Sequence, residues 1–110
     1  MSERQNFESQ IRKGILEYCI LSVLGNERAY ASDIIKKLKE AKLIVVEGTL
    51  YPLLTRMKNA ELLTYEWEES NSGPPRKYYF LTAKGGEFQK ELHQYWQELV
   101  ESVALITQKQ

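Results

Sequence analysis

The stretch Glu47–Met57 carries the chain's most informative set of side chains. Leu50, Leu53, Leu54 and Met57 recur at i, i+3, i+4 and i+7, the apolar stripe by which a helix docks on a core. Between them stand Thr49, Tyr51, Thr55 and Arg56, with Lys58 just beyond. Hydroxyls and an aromatic ring can hydrogen-bond and pack against base edges, and cations can neutralise phosphates. The chemistry is therefore recognition, not bond making. A short helix with one apolar side and one polar, aromatic and cationic side, followed by two strands, has the pattern of a DNA recognition helix.

Bond-making chemistry finds little support elsewhere. No nucleophile, base and acid occur together in a catalytic arrangement. Cys19 is the single cysteine, so an intramolecular disulfide and a cysteine-based zinc site are excluded. Within the apolar run Ile15–Leu21 it reads as a small buried hydrophobe. His93 stands alone, and the neighbouring Glu91 and Glu98 fit a surface helix, so it reads as an exposed histidine. Gly85-Gly86 is too weak a signal for a phosphate-cradling loop. No metal, no cofactor and no enzymatic activity are expected.

At 110 residues the chain is one domain, or a small domain with an oligomerisation element. Its 43% hydrophobic and 27% charged fractions are those of an ordinary globular protein. The core of so short a chain is limited, so dimerisation would help. Fifteen basic and fifteen acidic residues cancel, which weighs against simple electrostatic attraction to nucleic acid. Their distribution is uneven. Through Ala60 there are ten Lys/Arg against seven Asp/Glu, +3; from Glu61 there are five against eight, −3. The basic excess falls where the DNA-facing helices would be. No apolar run reaches the ~18 residues of a membrane span. The polar start Met1–Asn6 has no signal-peptide core. The expected location is cytoplasmic, or nuclear in a eukaryote, without membrane association.

The elements that must position the recognition stretch follow from periodicity. A first helix is expected over Phe7–Leu24, polar at Glu8, Gln10, Arg12 and Lys13 and apolar nearly all round from Ile15, with Gly25-Asn26 as its stop. A helix buried on several sides should touch both its own domain and a partner. A second helix should begin near Ala29-Tyr30 and run to Ala41, with Ala31, Ile34, Ile35 and Leu38 inward. The β-branched run Leu43–Val46 suits a short strand. The third helix should end near Asn59-Ala60 and hold Pro52 in its first turn, where the missing amide has no intrahelical role. Leu63–Glu68 alternates at period two, Ser70–Pro75 is a dense turn signal, and Arg76–Leu81 returns as an aromatic strand. Thr82 can cap a final helix over Ala83–Thr107. Phe88, Leu92, Tyr95 and Leu99 step by four and three, a coiled-coil seam that continues to Val103 and Ile106. The fold class is mainly α with a small β-hairpin. The expected organisation is a winged helix-turn-helix over residues 1–82 and a dimerisation helix over 83–110.

Two blocks give a more specific expectation. Gly48-Thr49-Leu50-Tyr51-Pro52-Leu53-Leu54, then Arg56-Met57 and Leu62-Leu63, resembles the recognition-helix signature of PadR-like transcriptional regulators. Gly73-Pro74-Pro75-Arg76-Lys77-Tyr78-Tyr79-Phe80-Leu81-Thr82, closed by Gly85 or Gly86, is similar to the wing of that family. The resemblance covers essentially the whole chain. The single C-terminal helix is similar to that of the small subfamily. Where the family often has glycine after the aromatic residue opening helix two, this chain has Ala31.

The resemblance implies a homodimeric regulator, a repressor of its own or a neighbouring operon, bound to a palindromic double-stranded operator. The N-terminal part of a recognition helix reaches the bases, which puts Thr49, Tyr51 and Pro52 at base edges. Arg56 and Lys58 suit phosphates. Tyr30, Ser32 and Lys36 can meet a phosphate at the start of helix two. Gly73 and Pro74 can skirt the minor groove, with Arg76 and Lys77 behind; these two can instead pair across the hairpin with Glu66 and Glu68. Tyr65, Trp67, Tyr78, Tyr79 and Phe80 read as wing core. The dimer contacts are expected from Ile15, Tyr18, Leu92, Tyr95, Trp96, Leu99, Val103 and Ile106. A residue near a two-fold axis meets its own copy, so paired Trp96 indoles can hold a small planar aromatic effector; the simpler role is interface packing. The rival function is a winged-helix protein-interaction module that does not bind DNA.

Overall fold

The computed structural model describes residues 2–108. The element order is α1 (Glu3–Asn26), α2 (Ala31–Glu40), α3 (Glu47–Asn59), β1 (Leu63–Ser70), β2 (Gly73–Leu81) and α4 (Ala83–Thr107). Helix α1 starts before the apolar periodicity does, because its cap starts it. The Ser2 hydroxyl accepts from the Gln5 amide, and the Gln5 side chain accepts from the Ser2 amide, both at 3.1 Å. That reciprocal pair satisfies donors a helix start otherwise leaves free.

Four elements converge on one core. Ile20 and Leu21 of α1, Ile34 of α2 and Leu50, Leu54 and Met57 of α3 are fully buried with Leu63 at the start of β1. Each such side chain contributes about 1.5–3 kcal/mol relative to exposure. The other two helices and the start of β1 thus hold α3 by its apolar stripe and leave its other side free.

Leu43–Val46 does not form the expected strand. Lys42 turns the chain with φ 67°, and the Leu43 amide bonds back to the Leu38 carbonyl at 2.8 Å. Ile44 and Val46 are exposed, and Val46 is the N-cap of α3. A strand needs a neighbour's amides and carbonyls, and among the described residues no backbone pairs with this run as a strand. The third piece of sheet comes from Ala29, which exchanges two backbone hydrogen bonds with Tyr79 at 3.0 and 2.8 Å.

Strands β1 and β2 pair antiparallel, Leu63 with Leu81 through Glu68 with Arg76. They run further than the sequence pattern indicates. Ser70 pairs with Gly73, so the connection is Asn71-Ser72, and the turn-forming Pro74 and Pro75 lie within β2. The register shifts between Glu68 and Ser70, and an irregularity is where a strand tolerates residues lacking an amide hydrogen.

Thr82 caps α4 as its type suggests. Its hydroxyl accepts from the Gly85 amide at 3.0 Å and donates to the Glu61 carbonyl at 2.6 Å. Lys84 donates to the Ala60 carbonyl at 3.0 Å. The start of α4 therefore ties down the C-terminus of α3. Phe88 and Leu92 pack on the core. From Tyr95 onward the helix is exposed except at half-buried Trp96.

Candidate nucleic-acid interface

Helix α3 divides as its sequence implies. Leu50, Leu54 and Met57 are buried, whereas Thr49, Tyr51, Pro52, Thr55, Arg56 and Lys58 are exposed. Pro52 departs from expectation. Because α3 begins at Glu47, Pro52 is its sixth residue and lies in the second turn. Its missing amide leaves the Gly48 carbonyl without an i+4 donor, on an exposed part of the helix where solvent or a ligand can serve it.

An open groove runs between the start of α2, the start of α3 and the hairpin. Tyr30, Ser32, Tyr51, Trp67, Arg76 and Lys77 line it, with Glu47 at the α3 end. The groove thus unites five residues singled out in the sequence. Thr49 lines a different depression, beside Arg12, Lys13 and Val46. Lys36 stands near Arg28 and Tyr78 on the far side of α2. Lys58 is 5.6 Å from the Tyr65 ring, at the other end of α3. Gly73 and Pro74 are exposed at the end of the hairpin.

The hairpin has two chemically distinct faces, because successive strand residues alternate sides. One face meets α2. Glu66 pairs with Arg28 at 3.3 Å, and Glu68 accepts a hydrogen bond from the Tyr30 hydroxyl. The Arg28 guanidinium lies 3.9 Å over the Phe80 ring, and that of Arg76 lies 3.9 Å over Tyr30, whose other neighbour is Tyr78. Glu68 is directly opposite Arg76 in register, yet Tyr30 separates their roles: the acid takes the hydroxyl and the cation takes the ring. The Glu68 hydrogen bond first, then burial, pushes the Tyr30 phenol above its ordinary pKa.

The other face carries Tyr65, Trp67, Lys77 and Tyr79. Tyr79 is buried, and burial pushes its phenol up. Tyr65 stands edge-on to both Tyr79 and Trp67 at 5.7 Å. Lys77 lies 4.6 Å from the Tyr65 ring and 5.5 Å from that of Trp67. Trp67 is not the wing-core residue expected from the sequence. It is 62% exposed, because the hairpin continues past the end of the core that covers Tyr65 and Tyr79.

Arg56 forms an ion pair with Glu17 of α1. The pair joins the recognition helix to the first helix and gives this cation a partner within the chain.

The residues expected at a dimer contact fall into two groups. Tyr18, Leu92 and Trp96 have partners in their own chain. The Tyr18 and Trp96 rings are 6.5 Å apart, the Tyr18 hydroxyl is 2.6 Å from Nδ1 of His93, and Leu92 packs against the core. His93 is exposed as expected but hydrogen-bonded. Ile15 is half-buried beside the depression that Thr49 lines. Tyr95, Leu99, Val103 and Ile106 are exposed, as are Phe7 and Ile11 on α1. Cys19 is half-buried, and burial pushes its thiol up. Among the described residues no group of His, Cys, Asp or Glu is arranged to hold a metal, and no helix is long and apolar enough to cross a membrane.

A three-helix core, a bridge at Ala29, a hairpin wing and a recognition helix with a free polar side together define a winged helix-turn-helix transcription regulator. The comparisons with known proteins agree. The sequence signature of the transcriptional regulator PadR-like family matches residues 20–94, and the chain belongs to that family. A PadR-like transcription factor from Bacteroides fragilis is 67% identical, with a TM-score of 0.79, over 93% of this chain and 99% of that one. A PadR-like transcriptional regulator from Bacillus cereus is 37% identical, TM-score 0.81, over 92% and 99%. A PadR family transcriptional regulator from Eggerthella lenta is 31% identical, TM-score 0.88, over 96% and 93%. The protein is thus a DNA-binding regulator of transcription and not an enzyme.

Proposed function

We propose that the chain is a homodimeric repressor of its own or a neighbouring operon, bound to a palindromic operator. The observation that carries this reading is the exposed polar side of α3, with Thr49, Tyr51 and Pro52 in its N-terminal half, the part of a recognition helix that meets base edges. Ser32, Lys36 and Lys58 contact phosphates, as does the wing through Arg76 and Lys77 with Gly73 and Pro74 at its end. Tyr30 orients that wing while lining the same groove. Residues 1–82 bind DNA. Residues 83–110, with Ile15 and Tyr18 of α1, join the two copies, and their half-sites lie about one helical turn (~10 bp) or a multiple apart.

The test is a shift assay on the DNA upstream of its own gene, repeated across salt concentrations. Affinity should fall linearly with salt on logarithmic axes, as counterion release requires. Tyr51→Ala should remove the preference for that DNA and leave the dimer intact. A salt-independent affinity, or an unchanged preference in the variant, rejects the model.

A planar aromatic effector at Trp96 is a second reading, favoured by one observation. Trp96 is half-buried against Tyr18 yet borders an open depression with Gln97, Val100 and Glu101. Quenching of indole fluorescence by a planar aromatic compound, lost in Trp96→Phe, supports it; equal quenching in the variant assigns the signal to Trp67.

A further inference from the structure

We propose that Trp67 is itself a DNA-contacting residue, its indole lying against the sugar–phosphate backbone of the duplex strand that passes between α3 and the wing. The inference rests on the DNA-binding reading above and extends it to a residue outside the sequence-derived contact set.

Three observations converge on it. Trp67 is a large apolar side chain left 62% exposed on a two-stranded sheet. Proteins normally protect such strands with charge or cover, and Tyr79 on the same face is buried. The indole is also held. Tyr65 meets it edge-on at 84°, and Lys77 sits directly across the hairpin in register. A loose surface tryptophan would need neither contact. Finally, the carboxylates Glu66 and Glu68 are drawn to the face that meets α2, whereas Arg76, opposite Glu68, still reaches the groove beside Trp67 and Lys77. Arg28 and Tyr30 engage the two carboxylates there. Trp67 and Lys77 share their groove with Tyr51, Ser32 and Arg76, and Glu47 is the carboxylate that lines it. The groove between α3 and the wing is therefore lined by aromatic rings and two cations against one carboxylate, although the chain as a whole is neutral.

The ligand's chemistry follows. When α3 enters a major groove and the wing reaches the adjacent minor groove, one strand's backbone passes through the cleft between them. In a duplex the base faces are stacked and hidden, so an indole there meets deoxyribose carbons and phosphate oxygens. The ring excludes water from the sugars, its Nε1–H donates to a phosphate, and Lys77 supplies the charge. Such a contact carries affinity with little sequence preference.

The experiment separates this contact from the DNA-binding reading on which it rests. The full chain is labelled with fluorotryptophan and followed by fluorine NMR. It yields one resonance each for Trp67 and Trp96, and the Trp67 line is assigned by its loss in Trp67→Phe. DNA from upstream of its own gene and an unrelated duplex of equal length are the probes. The Trp67 resonance should shift saturably with both. Trp67→Ala should weaken both complexes by about tenfold with an unchanged salt slope, and Trp67→Phe should recover most of the loss. Lys77→Ala should lower the slope by about one. If the wild type binds DNA while the Trp67 resonance stays fixed at saturation and Trp67→Ala binds as tightly, the proposal is overturned and DNA binding stands. If the wild type forms no salt-dependent complex with either duplex, the DNA-binding reading falls and takes this one with it.

Discussion

The Tyr30 hydroxyl donates a hydrogen bond to the Glu68 carboxylate, so the residue that starts α2 also holds the wing. Tyr30 is the N-cap of α2, its own amide bonded to Asp33 Oδ2 at 3.0 Å. Arg76 and Tyr78 flank its ring. One side chain therefore links the start of α2 to the hairpin. Tyr30→Phe keeps the ring contacts and removes the hydroxyl. It should lower the melting temperature modestly and weaken operator binding without changing the salt slope, since no charge is lost.

The same hydrogen bond has a pH signature. The folded phenol titrates above its ordinary value of 10.0, so the unfolded chain loses this proton first. The stabilisation is fully present below about pH 10 and is lost as pH rises through the folded value. Denaturation of wild type and Tyr30→Phe should show a gap that narrows above about pH 10. The raised Tyr79 phenol acts in the same direction but is common to both proteins and cancels. A gap that stays constant would remove the Glu68 hydrogen bond as its cause.

Gly85 and Gly86 are adjacent but not equivalent. A Cβ on Gly85 would collide with the Leu62 carbonyl, lying 2.7 Å from its carbon and 3.2 Å from the Leu62 Cα, whereas one on Gly86 would meet nothing within 4 Å. Backbone cannot yield as a side-chain tip can. Gly85→Ala should cost about 3 kcal/mol, at the upper end of overpacking. Gly86→Ala should gain up to about 1 kcal/mol from helix propensity. Urea denaturation of both variants measures this, and equal effects would mean that α4 does not approach Leu62 so closely.

The contrast between the glycines marks what periodicity can and cannot convey. The buried stripe Leu50, Leu54 and Met57, the Thr82 cap and the hairpin alternation were legible because each is a local rule. Leu43–Val46 misled because β propensity describes fit against a neighbouring strand, and the neighbour is absent. Ala29 reads as the start of helix two, but it forms a bridge to Tyr79 instead, because a bridge of one residue has no period. Trp67 reads as wing core yet is exposed, because alternation does not show how far the core extends beneath a strand. The partners of Arg56 and Tyr18 lie on other helices, and no spacing rule links them.

Arg56 is held by Glu17, so its use on DNA is a competition. The pair is partly solvent-exposed, and such a pair is worth at most about 1 kcal/mol. A phosphate can therefore outbid the carboxylate. Glu17→Gln should change stability by less than about 1 kcal/mol, tighten duplex binding and steepen the salt slope by up to about one. Adding Arg56→Ala should abolish that gain. Anisotropy titrations at several salt concentrations decide it. If Glu17→Gln leaves the slope unchanged, Arg56 is a tie between α1 and α3 and not a phosphate ligand.

The C-terminal half of α4 presents an exposed apolar stripe, which the proposed dimer would cover. Leu99, Val103 and Ile106 lie on one side at i, i+4 and i+7, and Ile106 is 84% exposed. Helix α1 adds Phe7 and Ile11, and the segment before α3 adds Ile44 and Val46. So much exposed apolar surface is unusual on a lone small domain. Burial against a second copy would recover about 25 cal/mol for each Å² removed from water. Val103→Glu should introduce a charge into the face that the proposed dimer uses and leave the winged helix folded, because Val103 touches none of its core. Sedimentation should then report a monomer in place of a dimer. Operator affinity should fall by more than tenfold, since two half-sites are no longer bound by one linked pair. Binding to a single half-site should persist. A variant that remains dimeric would move the interface off this face of α4.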